Sequence, residues 1–213
     1  MISRIFAPRG ALSILLCVAV TAAIPFTTGC SYSQAQITSA VQKVENGLKT
    51  TKALLPSANV ILADLQVVQP DVAEYLAPIL ANAGPAIDKV IAACDAYLAN
   101  PGADAYQAIL NGVDAITAQA DQAALKIAGV KNQASQNKAA TYIALVSTGL
   151  HVALGILENY ATKKQVQAVK AASARVPFEQ VKPLLNRDYA RNELADLGYS
   201  PAEVDYAMER AGL

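Results

Sequence analysis

The sequence predicts an all-α protein, an antiparallel helical bundle with a short C-terminal helical hairpin. Two observations carry that expectation. The chain is rich in alanine and other strong helix formers, has no Trp and only 3 Phe in 213 residues, and is poor in the β-branched runs that mark strands. Its apolar residues also recur at three- and four-residue spacing, which lines one face of a helix turning every 3.6 residues.

The first segment differs from the rest. Arg4 and Arg9 make a positive start, no acid precedes Glu45, and residues 11–26 are continuously apolar or small. That length suits the core of a signal peptide and is short for a bilayer span. Thr27-Thr28-Gly29-Cys30 follows. A small residue directly before a cysteine, behind such a leader, resembles the processing site of bacterial lipoproteins, with Thr27 standing where Leu is usual. The resemblance implies cleavage between Gly29 and Cys30 and a diacylglycerol on the Cys30 sulfur, so that membrane lipid is the first partner. A triacylated cysteine would exceed the single chain that anchors only weakly. Ser31, in place of Asp, resembles the outer-membrane default of lipoprotein sorting, and implies a protein of the cell envelope facing the periplasm or the cell surface. Ordinary secretory cleavage near Ala22-Ala23 and an uncleaved anchor stay open as other readings of the leader. The domain expectation is therefore a removed signal peptide at 1–29, a lipid-anchored helical bundle at 30–175 and a C-terminal hairpin at 176–213.

Cysteine use agrees. Cys17 leaves with the leader and Cys30 becomes a thioether, so Cys94 stands alone without an intrachain disulfide partner. It lies among Val90, Ile91 and Leu98 and reads as a small buried hydrophobe. The 17 basic residues lose Arg4 and Arg9 with the leader, against 17 acids, which leaves the mature chain at −2. That balance does not fit a nucleic-acid binder.

Each helix has a local justification. Ile37, Val41, Val44, Leu48, Thr51 and Leu55 form an alternating four-three seam, continued by Ala58, Leu62 and Leu65 past a kink or restart at Pro56. Pro70, Pro78 and Pro85 predict a broken region, with Asp71-x-x-Glu74 as a capping box and Gly84-Pro85 starting a helix that carries Ile87, Val90, Ile91, Cys94 and Leu98. Asn100-Pro101 predicts a cap and first position for the next helix. Its seam is the most regular in the chain: Tyr106, Ile109, Val113, Ile116, Ala120, Ala123, Ile127 and Val130. Asp104, Asp114, Asp121 and Lys126 lie off that stripe and are expected in solvent; a bundle core is expected of the stripe, a self-associating coiled coil being the alternative. Residues 131–138 are polar, either a turn or a hydrophilic stretch of continuous helix. Residues 139–157 carry no formal charge, and read as a central buried helix or, alternatively, a membrane-inserting one. His151, the sole histidine, is expected to be a hydrogen-bonded core residue. Lys163, Lys164, Lys170 and Arg175 form a basic stretch without acids, either a solvated face or a contact for anionic headgroups.

Pro177 and Pro183 open the C-terminal piece. Two short helices are expected at about 187–197 and 201–211, with Gly198 ending the first, Ser200-Pro201-Ala202-Glu203 starting the second and Gly212 closing it. Leu197, Gly198, Tyr199, Ala207 and Met208 resemble the first two helices of ubiquitin-associated-like three-helix modules, although the chain stops where a third helix would begin. The resemblance implies a partner-docking module; a hairpin packed on the bundle is the reading from the residues themselves.

The parts of a catalytic site are scarce. A Ser/His/Asp site would depend on His151 in an apolar run, no Cys/His spacing suits zinc, and no glycine-rich phosphate loop appears. Carboxylate pairs such as Asp71/Glu74 and Glu193/Asp196 read as caps and exposed helix charge. No catalytic residue, cofactor or metal is expected. The expectation is a non-catalytic, lipid-anchored envelope protein that scaffolds or binds an envelope protein partner. Two alternatives are a membrane-inserting or pore-associated protein using residues 139–157, and a periplasmic carrier of a small apolar ligand.

Overall fold

The computed structural model describes residues 32–129, 133–210 and 213, and among them every regular element is a helix. Ser33 caps α1 (Gln34–Ala53) in a capping box with Gln36, a residue type that accepts from the otherwise orphaned N–H groups of a first turn. The seam Ile37, Val41, Val44, Leu48, Thr51 is buried throughout. Pro56, which has no N–H to continue α1, instead falls in the first turn of α2 (Leu55–Val68). These two helices make the first column of the bundle.

The second column corrects an expectation. The proline-rich region is not broken: α3 (Pro70–Ala99) runs for 30 residues with Pro78 and Pro85 inside it. It starts at Pro70 without a side-chain cap, so Asp71 and Glu74 are exposed residues of its first turns and not a capping box, and Gly84-Pro85 starts nothing. An interior proline costs about 3 kcal/mol. Uninterrupted, α3 delivers Val72 and Leu76 to one core and Ile87, Val90 and Tyr97 to another. At about 2 kcal/mol per large buried side chain, the burial outweighs two prolines. Asn100 ends α3 instead of capping the next helix; α4 (Ala103–Ala128) begins behind Gly102.

α4 and α5 (Gln133–Tyr160) are the third and fourth columns; of the polar stretch at 131–138, residues 133–138 are the start of α5, and 131 and 132 lie outside the described residues. The columns alternate in direction. The start of α1 meets the end of α3 (Gln34 Nε2 donates to Tyr97 Oη, 2.8 Å), and the start of α4 meets the end of α5 (Tyr106 Oη donates to the Leu157 carbonyl, 2.7 Å). One core fills this end and the middle of the bundle, including Cys94, whose burial pushes its thiol up to about 12. A smaller core, with Leu65, Leu76, Ile127 and Ile143, closes the opposite end.

α6 (Lys163–Ala172) turns back along α4 from a Thr162 capping box with Gln165. A strap then leads through α7 (Phe178–Val181) and one 3-10 turn (Lys182–Leu184) to α8 (Arg187–Asp196) and α9 (Pro201–Arg210). The expected turn between the last two is present. Gly198 has φ +79°, Tyr199 N–H reaches the Leu194 carbonyl (3.2 Å) and Gly198 N–H the Ala195 carbonyl (2.9 Å), the paired bonds of a Schellman end that needs a residue without Cβ. The Glu203 carboxylate accepts from the Ser200 N–H, as a capping box requires. Both helices pack on α5 and share its core through Leu194, Val204 and Met208. Gly212 and Val130 lie outside the described residues.

Candidate functional site

The seam between α4 and α5 is where polar chemistry gathers. Asp114 and Asp121 are two helical turns apart on α4, and His151 and Glu158 are two turns apart on α5, with Gly155 between them. Antiparallel packing sets them in two layers. In the deeper one, His151 Nε2 lies 3.0 and 3.2 Å from the two oxygens of Asp121, and Ser147 Oγ donates to the same carboxylate at 2.7 Å. Phe178 from the strap covers the imidazole, ring centroids 5.4 Å apart, edge to face. In the outer layer, Arg175 Nε is 2.8 Å from Asp114 and its Nη2 is 3.6 Å from Glu158. Ser173 Oγ joins Asp114 and Arg175, at 3.3 and 3.2 Å. The layers line a cleft of about 390 Å³, with exposed Lys170 at its edge.

Two expectations are corrected here. Asp114 and Asp121 are buried, Asp121 with only 1% exposure, and not solvated. α4 has two covered faces: the regular seam, and a second one that α5 and the strap close over. Arg175 likewise belongs to this closure; Lys163, Lys164 and Lys170 are exposed. His151 is the hydrogen-bonded core residue expected of it. Its order with Ser147 matters chemically. A nucleophilic triad places His between Ser and the acid, whereas here Asp121 sits between Ser147 and His151, so the imidazole has no path to the serine proton through this bond. Among the described residues no group of three or more His, Cys, Asp or Glu could hold a metal ion. The arrangement can fix the strap over the bundle and seat a small polar molecule in the cleft.

A second polar cluster lies on the other side of α5. Glu193 of α8, read from sequence as exposed charge, is 6% exposed, and neither carboxylate oxygen has a hydrogen-bond partner. The same holds for Thr51 Oγ1 of α1 and Tyr189 Oη. Glycines face the carboxylate: a Cβ on Gly149 would stand 3.2 Å from Glu193 Oε2, and one on Gly47 3.5 Å from Oε1. Burial raises the Glu193 carboxyl to about 7; the nearby Tyr189 hydroxyl opposes the rise and Asp196 adds to it. Asp196 itself is exposed. No sequence signal short of knowing that α8 docks on Gly47 and Gly149 would have found this cluster.

Gly29 and Cys30, the residues of the expected cleavage and lipid attachment, lie outside the described residues. No family model matches the chain, and no curated protein or solved structure matches it either.

Proposed function

We propose that this chain is a lipid-anchored cell-envelope protein of the binding or scaffolding type, held to its membrane through acylated Cys30, with the helical bundle as the working part. The observation that carries the reading is the leader ending in Thr27-Thr28-Gly29-Cys30 followed at once by a capped helix: Ser33 is already the N-cap of α1. A chain built this way has a processing site, a minimal tether and then a folded body. An exposed apolar stripe on α2, Pro56, Val60, Ala63 and Val67 at i, i+4, i+7 and i+11, favours a body that binds a partner over one that only fills space.

Among the described residues, two helices are long and apolar enough to cross a membrane, Pro70–Ala99 and the Thr141–Tyr160 part of α5. In the bundle 67% of the most apolar stretch of the latter is buried. Inserting it would separate His151 and Ser147 from Asp121, which makes the anchored bundle the better-supported reading. The apolar void in the smaller core, about 10 Å³, is too small to hold an apolar ligand. The test is growth on radiolabelled palmitate with carbonate extraction of the membranes. The wild-type chain is expected to take up label, and Cys30→Ala to lose it and move to the soluble fraction. Unlabelled wild-type protein overturns the anchor, and carbonate-resistant Cys30→Ala points to insertion of α5.

A further inference from the structure

We propose that the end of the bundle bearing the α1 N-terminus rests in the headgroup layer of the anchoring membrane, with Tyr32, Tyr160 and Tyr206 as its contact residues and Lys163 and Lys164 beside them. The inference rests on the lipid-anchor reading and adds an orientation and a surface to it.

Tether length is the first argument. Only Ser31 and Tyr32 separate Cys30 from the helix cap at Ser33. Three extended residues reach about 10 Å. The headgroup layer on one side of a bilayer is itself about 5–8 Å thick. The near end of the bundle therefore has no room to stand clear of the surface, while α3, about 45 Å long, carries the smaller core away from it.

The residues at that end are the second argument. Tyr32 meets Tyr160 with ring centroids 4.6 Å apart. Tyr32 Oη and Tyr206 Oη both point to Asn159 Oδ1, at 3.5 and 3.3 Å. Three tyrosines, one just ahead of α1, one at the end of α5 and one from α9, thus gather around the last turn of α5, and Tyr206 stays 50% exposed. Tyrosine, with an apolar ring and a polar tip, is a side chain that concentrates at membrane–water interfaces. Lys163 and Lys164 are exposed in the first turn of α6, immediately after α5 ends. Lysines there can reach lipid phosphates while their stems lie along the interface. The nearby acids Glu203 and Asp205 are engaged, by Ser200 and Arg191 respectively, and Asp104 is exposed in the first turn of α4. The end is thus mixed in charge, and the tyrosines set the contact more than net charge does. Tyr75, at the opposite end of α3, serves as a reference: it is 39% exposed and far along the column from the tether.

The absence of Trp from the chain makes depth measurable at single sites. Acylated full-length protein carrying Tyr206→Trp or Tyr75→Trp is reconstituted into phosphatidylcholine–phosphatidylglycerol vesicles, with and without bromine on the upper acyl chain, and floated on a gradient. The expected result is that the bromolipid removes most of the emission of Tyr206→Trp and leaves Tyr75→Trp unchanged. Adding Lys163→Glu and Lys164→Glu to Tyr206→Trp is expected to weaken the quenching while the protein still floats; circular dichroism of each variant confirms folding. Unquenched Tyr206→Trp in floating protein overturns the docked end and leaves the anchor standing, as does equal quenching at both sites. Failure of the unsubstituted protein to float overturns the anchor reading on which the inference rests.

Discussion

Two sides of α5 treat a buried carboxylate in opposite ways. Facing α4, Asp121 accepts from Ser147 and lies within hydrogen-bond distance of His151, residues one helical turn apart on α5. Facing α8, Glu193 meets Gly149 and Gly47, which have no side chain to donate, and Thr51 and Tyr189 hydroxyls that lie nearby without completing a hydrogen bond. A satisfied buried acid locks a seam, and an unsatisfied one costs free energy whenever it is charged. The hydrogen bonds of Asp121 hold α4 to α5 beneath the strap. Docking of the C-terminal hairpin is linked to the protonation of Glu193.

The largest effect expected is on the satisfied side. Asp121→Ala strands Ser147 and His151 in the core and should cost on the order of 4 kcal/mol in urea unfolding, with Asp121→Asn losing less because it still accepts. A cost near zero would mean that this seam does not hold α4 to α5. Next comes pH. Because the folded Glu193 carboxyl sits at about 7 against 4.5 in the unfolded chain, the native state holds the extra proton between those values. The contribution of Glu193 to stability is then greatest below pH 4.5 and is lost as pH rises toward 7, by at most about 3 kcal/mol. Glu193→Gln should remove that slope and stabilise the protein at pH 8 while changing little at pH 4; an unchanged slope would dissolve the contrast between the two seams. The smallest effects separate the glycines. Gly149→Ala would bring a methyl within 2.6 Å of Thr51 Oγ1 and is expected to cost about 1–3 kcal/mol, whereas Gly47→Ala meets only ordinary contacts. The latter should gain up to about 1 kcal/mol from helix propensity, and equal effects at both sites would show that Thr51 of α1 does not press on α5 at Gly149.

Local signals were read well. The α1 seam, the restart at Pro56, the Gly198 turn and the start of α9 at Pro201 each depend on residues within one or two turns of one another. The misreadings share a different cause. Pro78 and Pro85 looked like breaks because their cost is local, while the burial that overrides it comes from two cores at opposite ends of α3. Asp114, Asp121 and Glu193 looked solvated because one apolar stripe per helix was assumed. α4 and α8 in fact each pack against more than one neighbour, and Asp121 meets a residue 30 positions away.

By itself the sequence determined that this chain is helical and where the restart at Pro56, the Gly198 turn and the start at Pro201 fall, and it places ahead of them an apolar stretch ending in Thr-Thr-Gly-Cys that resembles a lipoprotein leader, since propensity, capping and short motifs act through neighbouring residues. Only the tertiary structure decided which charges are buried, which of them find partners and which tyrosines meet at the end of the bundle that bears the α1 N-terminus. Those outcomes depend on which helix faces come together, and no short stretch of chain contains that information.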